Sequence, residues 1–253
     1  MDEQPDIPER TCINCGTKLS IEARFCNNCG FTQVINQTYN TNWQRTLNGL
    51  LCFFGLLVII CLVGNFSGDT DIDFLLLMDL LFVVITIAGA AIMWNDIKPF
   101  LQWKKFNILK LAGYILLSVS LAVVVNIIID WLNKSMFGVE VYYYKAFEHL
   151  KYAKLITILM IAVQPALFEE LAFRGVIQGG LSKIIEPQQA IYLTAFLFAI
   201  IHMSFISLFW LIPFAILLSY VRNKENTLWY GILMHFFFNA TACFLEFFKL
   251  NVL

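Results

Sequence analysis

From residue 47 to residue 66 the chain runs without a single charged side chain, and runs of this kind recur almost to the C-terminus. About twenty apolar residues at 1.5 Å each cover the roughly 30 Å of hydrocarbon in a bilayer, where each segment has to satisfy its own backbone polar groups. Such runs can only be membrane helices. Hydropathy places them at 47–66, 74–94, 108–129, 155–168 (continuing into a pair of glutamates), 189–205, 206–221 and 228–248, seven in all. The aromatic and basic stretch 141–154, VYYYKAFEHLKYAK, reads as an interfacial helix or an extension of the fourth span, which would raise the count to eight.

Composition agrees: 17 Lys and Arg with 18 Asp and Glu are far too few to solvate a globular surface of 253 residues. The net charge of -1 leaves no basic face for phosphate contacts and excludes nucleic acid as a partner. The expected fold is an all-α polytopic membrane helix bundle, with the lipid bilayer as its surroundings and a small N-terminal module.

That module is read from Cys12, Cys15, Cys26 and Cys29, two CxxC knuckles each followed by glycine (Gly16 and Gly30). The spacing matches a four-cysteine structural zinc site, with a pair of disulfides as the alternative in an oxidising compartment. So short a segment buries too little to fold alone, so the metal would supply the folding free energy. A closed four-thiolate site has no open position, which points to a structural role or to docking a cytosolic partner. Residues 1–30 are thus expected to form a zinc ribbon, 31–45 a polar linker, and 46–253 the membrane domain. Cys52, Cys61 and Cys243 lie scattered in apolar segments and receive no role.

Loop charges set the orientation. Asp69, Asp71 and Asp73 follow the first span, Lys98, Lys104 and Lys105 the second, and Arg222 and Lys224 the sixth, which puts the N-terminus in the cytoplasm of what is expected to be a bacterial cell membrane. Lys134, Lys145 and Lys151 fall on the other side and count against it. A cytoplasmic N-terminus suits four reduced thiolates.

Within the fourth span, Glu169 and Glu170 arrive about fourteen residues, roughly 21 Å of helix, into apolar chain. Intramembrane charges cost on the order of 2.5–3.5 kcal/mol each on insertion scales, so three together mark a functional site. Glu170 and Arg174 stand four apart and face each other, whereas Glu169 is rotated by about 100° and left over. A leftover carboxylate is the group that can take a proton from water. Two of the three histidines, His202 and His235, also lie in spans. His235 and Asn239 share one helical face and offer donors to a developing oxyanion, and Phe198 is spaced to pack on His202. Counting from the cytoplasmic ends puts Glu169 near 10 Å, His235 near 15 Å and His202 near 20 Å, so one shared cavity requires helix tilt or span ends shifted by a turn.

EExxxR (Glu169, Glu170, Arg174), FxxxH (Phe198, His202) and HxxxN (His235, Asn239), in that order on successive spans, resemble the CPBP family of CAAX proteases and bacteriocin-processing (Abi) enzymes. The resemblance covers about 165–240 and implies an intramembrane endopeptidase acting on a prenylated or membrane-associated peptide, in bacteriocin processing or self-immunity among its roles. It further implies that Glu169, assisted by His202, activates a water, that His235 and Asn239 steady the oxyanion, and that the Glu170–Arg174 pair braces the helix. One Glu and two His would also suffice for a catalytic metal triad; without HExxH spacing the metal-free route is favoured. Two other readings stand beside the enzyme: a non-catalytic membrane scaffold or regulator docking partners through the ribbon, and a transporter using Glu169 and His202 as a proton relay. The latter needs polar residues along a path, and Asp79 and Asp130 read as snorkelling near span ends.

Overall fold

The structure is a computed structural model that describes residues 9–12, 14–20, 26–30, 41–67, 72–102, 107–138, 140 and 142–252. Residues 31–40 of the expected linker lie outside these, as do Asp69, Asp71, Lys104 and Lys105 of the orientation argument. The chain forms two compact units, Met1–Arg45 and Thr46–Leu253.

In the first unit, β1 (Glu9–Thr11) pairs antiparallel with β2 (Lys18–Ser20), Arg10 opposite Leu19. The turn between them is the first knuckle. Gly16 and Gly30 take left-handed φ of 72° and 69°, a conformation glycine adopts without a Cβ clash, and each returns its N–H to the carbonyl of the first cysteine of its knuckle. The four sulfurs converge: Cys12 Sγ lies 3.7 Å from Cys29 Sγ and Cys15 Sγ 3.5 Å from Cys26 Sγ. All four lie within 4.8 Å of one another and none is in a disulfide. Tetrahedral Zn–S bonds of about 2.3 Å put sulfurs roughly 3.8 Å apart, so the cluster has the dimensions of a metal site. The backbone N–H groups of Asn14 and Asn28 each point at the sulfur two residues back, as metal-bound thiolates require.

The second unit is the expected helical bundle. Among the described residues six helices are long and apolar enough to cross a membrane: α1 (Thr41–Phe66), α2 (Ile72–Ile92), α4 (Ile108–Phe137), the compound helix Ala153–Leu181, α9 (Phe205–Glu225) and α10 (Trp229–Lys249). This is a multi-pass membrane protein. A short α3 (Trp94–Ile97) follows α2. Local chemistry sets the ends: the Asn107 side chain accepts from Lys110 N at the start of α4, and Gly138 closes it in left-handed conformation. Large apolar side chains such as Leu51, Leu80, Val84 and Ile127 point outward, as lipid contact demands. Where α1 and α2 approach, Gly89 admits the Phe53 ring; a Cβ there would stand 2.5 Å from it.

Two expectations are corrected. The fifth apolar segment forms a shorter helix than its hydropathy suggests: α8 (Pro187–Ile200) has 14 residues and ends before His202. The cause is local. His202 N–H tightens onto Ala199 O, and the Phe198 carbonyl, which an α-helix would give to that N–H, is taken at 2.8 Å by the imidazole Nδ1 of the same residue. Met203 then turns left-handed (φ 50°) and Ser204 caps α9. The second correction is 141–154, whose described residues up to 152 form a 3-10 turn at Tyr144–Ala146 and further turns, not an interfacial helix, while its last two residues, Ala153 and Lys154, begin the helix of the fourth span. The Glu246 carboxylate accepts the N–H groups of Tyr143 (3.0 Å) and Tyr144 (2.6 Å), which pins the stretch to α10 as a strap.

Candidate active site

The compound helix is not uniform. It runs as α5 (Ala153–Ile158), a π segment Leu159–Val163, α6 (Gln164–Glu170), a second π segment Leu171–Ile177, and α7 (Gln178–Leu181). Pro165 has no N–H to give the Ile161 carbonyl, and π turns commonly absorb such a break at functional positions. The freed carbonyl accepts from Asn239 Nδ2 on α10 at 2.9 Å. Asn239 therefore spends one of its two amide protons docking α10 onto the proline break, and the residue also lines the cavity described below. Asn239→Leu is expected to leave that carbonyl without a partner and to cost about 1–3 kcal/mol, measured as a lower unfolding midpoint in detergent.

Glu170, Arg174 and Gln178 repeat every four residues and form one polar ladder with no exposure. Arg174 donates to Glu170 at 2.8 Å and to the Ala215 carbonyl of α9 at 3.1 Å, with its guanidinium 4.6 Å above the Phe198 ring. Gln178 donates to the Ser219 carbonyl, one turn further along α9, at 3.0 Å. Gln178 was missed in the sequence, although its place eight residues after Glu170 in an apolar helix was a readable signal. The ladder ties α9 to the compound helix through backbone carbonyls, and Glu170 extends it to α10 by accepting from His235 Nδ1 at 2.9 Å. Gly231 lets that carboxylate lie against α10, since a Cβ there would stand 3.0 Å from Glu170 Oε2.

This fixes both imidazoles. A carbonyl or a carboxylate can only accept, so His202 and His235 each hold a proton on Nδ1; His235 is buried, whereas His202 is exposed where it lines the cavities described below. His235 Nε2 is 3.8 Å from Glu169 Oε2, too long for a hydrogen bond and short for charges. Phe198 organises the pair, its ring centroid 4.9 Å from that of His202 and 6.0 Å from that of His235.

Glu169 points away from the ladder, as its rotation implied, and stands with His202 on the wall between two cavities. One, of about 300 Å³, is lined by Glu169, His202, His235 and Asn239 among aromatic and aliphatic residues including Phe198, Trp210 and Phe214. The other, of about 280 Å³, lies against α1 and α2 and adds Cys61, Asp79 and Gln164. All six candidate residues thus belong to one connected arrangement: Glu169, His202, His235 and Asn239 open to the cavity, Glu170 and Arg174 behind them. Glu169, His202 and His235 share this cavity although the depths counted from the sequence differ. The 300 Å³ cavity shares Asn126, Tyr143, Ser204 and Ser207 with a polar vestibule of about 480 Å³ that also includes Asn133, Glu246 and Lys249. Those residues lie where α4 and α10 end and α9 begins, so the vestibule opens on that face of the bundle.

As for a metal at the site, the four cysteines are the group among the described residues whose donor atoms gather within 4.8 Å, and Glu169, His202 and His235 do not form such a group.

Residues 151–241 match the Rce1-like family, described as type II CAAX prenyl endopeptidase Rce1-like. No curated protein and no solved structure matches the chain. The Rce1-like segment contains every member of the buried ladder and both histidines, whereas α1, α2 and the cysteine module lie outside it. The family agrees with the resemblance carried by EExxxR, FxxxH and HxxxN, and its described activity is that of a CAAX prenyl endopeptidase.

Proposed function

We propose that the protein is an intramembrane endopeptidase that hydrolyses a peptide bond in a prenylated or otherwise membrane-associated peptide. The observation that carries this reading is the placement of the Glu169 carboxylate and the His202 imidazole on one wall of an apolar cavity, with His235 Nε2 opposite. Glu169 removes a proton from a water, His202 orients that water, the oxygen attacks the scissile carbonyl carbon, and Glu169 then gives the proton to the amide nitrogen as the C–N bond breaks and the amine leaves. The developing oxyanion is met by His235 protonated at Nε2 and by the second amide proton of Asn239. The imidazolium this requires sits between the Glu169 and Glu170 carboxylates. Aromatic walls exclude bulk water, and the low dielectric strengthens each donor. Processing of bacteriocins or self-immunity to them falls within this chemistry.

The test is cleavage of a farnesylated CAAX peptide and a panel of leader peptides by purified protein in lipid nanodiscs, with Glu169→Ala and Asn239→Ala in parallel. Turnover by the wild type that is lost in Glu169→Ala and survives a chelator supports the reading. Turnover abolished by chelator in a protein whose cysteine module is replaced would refute the metal-free route.

The cysteine module binds zinc in this reading, as a structural or docking element reaching a cytosolic partner. The Thr17 hydroxyl and backbone N–H hold the Cys15 thiol down at about 5, whereas burial pushes Cys26 up to about 11. Zinc must therefore displace a proton from Cys26, so binding releases protons and weakens as pH falls. Zinc titrations at several pH values are expected to show affinity rising with pH, and Cys26→Ser to remove stoichiometric zinc.

A further inference from the structure

The 280 Å³ chamber between α1, α2 and the Glu169 wall has a feature that the endopeptidase reading does not use. Asp79, seven residues into α2, lines it. Asp79 is half-buried and forms neither a hydrogen bond nor an ion pair with any described residue. The titratable groups that share the chamber are Cys61 from α1, Glu169 from α6 and His202 beyond α8, none of them a fixed cation. Arg174 on the second π segment and Asp96 on α3, elements that also pack against α2, do not line it. A carboxylate within a membrane helix is costly unless something pairs with it, and no described residue supplies a partner. Gln164, the one further polar group on the wall, offers only an amide.

The chamber adjoins the reacting carboxylate directly, because Glu169 and His202 line both cavities. A substrate laid across that wall with its scissile carbonyl at Glu169 places one flank in the chamber with Asp79. We propose that the chamber is a specificity pocket for a basic side chain, Lys or Arg, next to the scissile bond, with Asp79 as its counter-charge. This rests on the endopeptidase reading for the word substrate, but the chamber's preference for cations does not.

The test separates the two. Cys61 lines the same chamber and serves as the reporter. In full-length, zinc-loaded protein carrying Cys52→Ser and Cys243→Ala, with Cys61→Ser as background, Cys61 is labelled by a cationic and by an anionic methanethiosulfonate reagent of similar size. Focused negative potential raises local cation concentration by 10-fold or more. The cationic reagent is therefore expected to react at least about ten times faster, and Asp79→Asn to reduce that ratio several-fold while the unfolding midpoint stays unchanged. In the cleavage assay, Asp79→Asn is expected to lower kcat/KM for peptides with Lys or Arg flanking the scissile bond by about 10-fold through KM, and to leave neutral peptides unaffected. Equal labelling rates, no labelling by either reagent, or a ratio indifferent to Asp79 overturns the proposal even if no peptide is ever cleaved. Cation-selective labelling without turnover keeps the pocket and removes the endopeptidase reading.

Discussion

Glu169→Gln is expected to reduce peptide cleavage by at least about 10³-fold in kcat while the protein stays folded and still binds its substrate. General-base catalysis accounts for roughly 10²–10⁴ of an enzyme's rate, and an amide cannot accept the proton of an attacking water. The substitution is nearly isosteric, and Glu169 takes no part in the buried ladder, so packing is untouched. The loss should therefore fall on kcat, with KM within a few-fold of wild type. Glu170→Gln provides the contrast: it keeps an oxygen for His235 Nδ1 but removes the charge that Arg174 faces at 2.8 Å, so it should lower stability and activity together. Equal behaviour of the two variants would mean that the adjacent glutamates do not divide their work.

Arg174→Met is the change with the largest expected effect on folding. It leaves the Glu170 carboxylate buried without its cation, and breaking one side of a buried pair costs about 3–5 kcal/mol. The loss of the Ala215 contact and of the stack on Phe198 adds to this. A monodisperse, folded single variant is not expected. The double variant Glu170→Gln with Arg174→Met removes both charges and should recover most of the folded protein, because replacing a whole buried pair is often close to neutral. Size-exclusion profiles of Arg174→Met and the double variant, with thermal unfolding of Glu170→Gln and the double, check that recovery.

Residue spacing made the Glu170–Arg174 pair and the shared face of His235 and Asn239 legible in advance, because an α-helix repeats its faces every three to four residues. Apolar run length likewise located the crossings. What spacing cannot convey is competition for a single carbonyl. Asn239 carries the spacing of an oxyanion donor, yet part of its amide is drawn to Ile161 by a proline on another helix. His202 ends its own helix by taking the Phe198 carbonyl, and that shortened α8, which hydropathy extends to residue 205. Asp79 was passed over because one aspartate in the first third of an apolar run looks like a residue reaching for the surface; only the packing of α2 against the glutamate wall shows what it faces. The strap at 142–152 owes its course to Glu246, a carboxylate about a hundred residues away in sequence.

The brevity of α8 has a consequence for the lipid itself. Fourteen residues reach about 21 Å, against roughly 30 Å of hydrocarbon. Acyl chains beside this helix are therefore expected to meet a polar turn, His202 to Ser204, before they reach their own headgroups. The annulus there has to thin or admit water, at a fraction of a kcal/mol for each ångström of mismatch. Thin bilayers relieve that mismatch and thick, sterol-stiffened ones aggravate it, so turnover should fall as acyl chains lengthen from fourteen to twenty-two carbons, the membrane's own thickness acting as a setting on the catalyst.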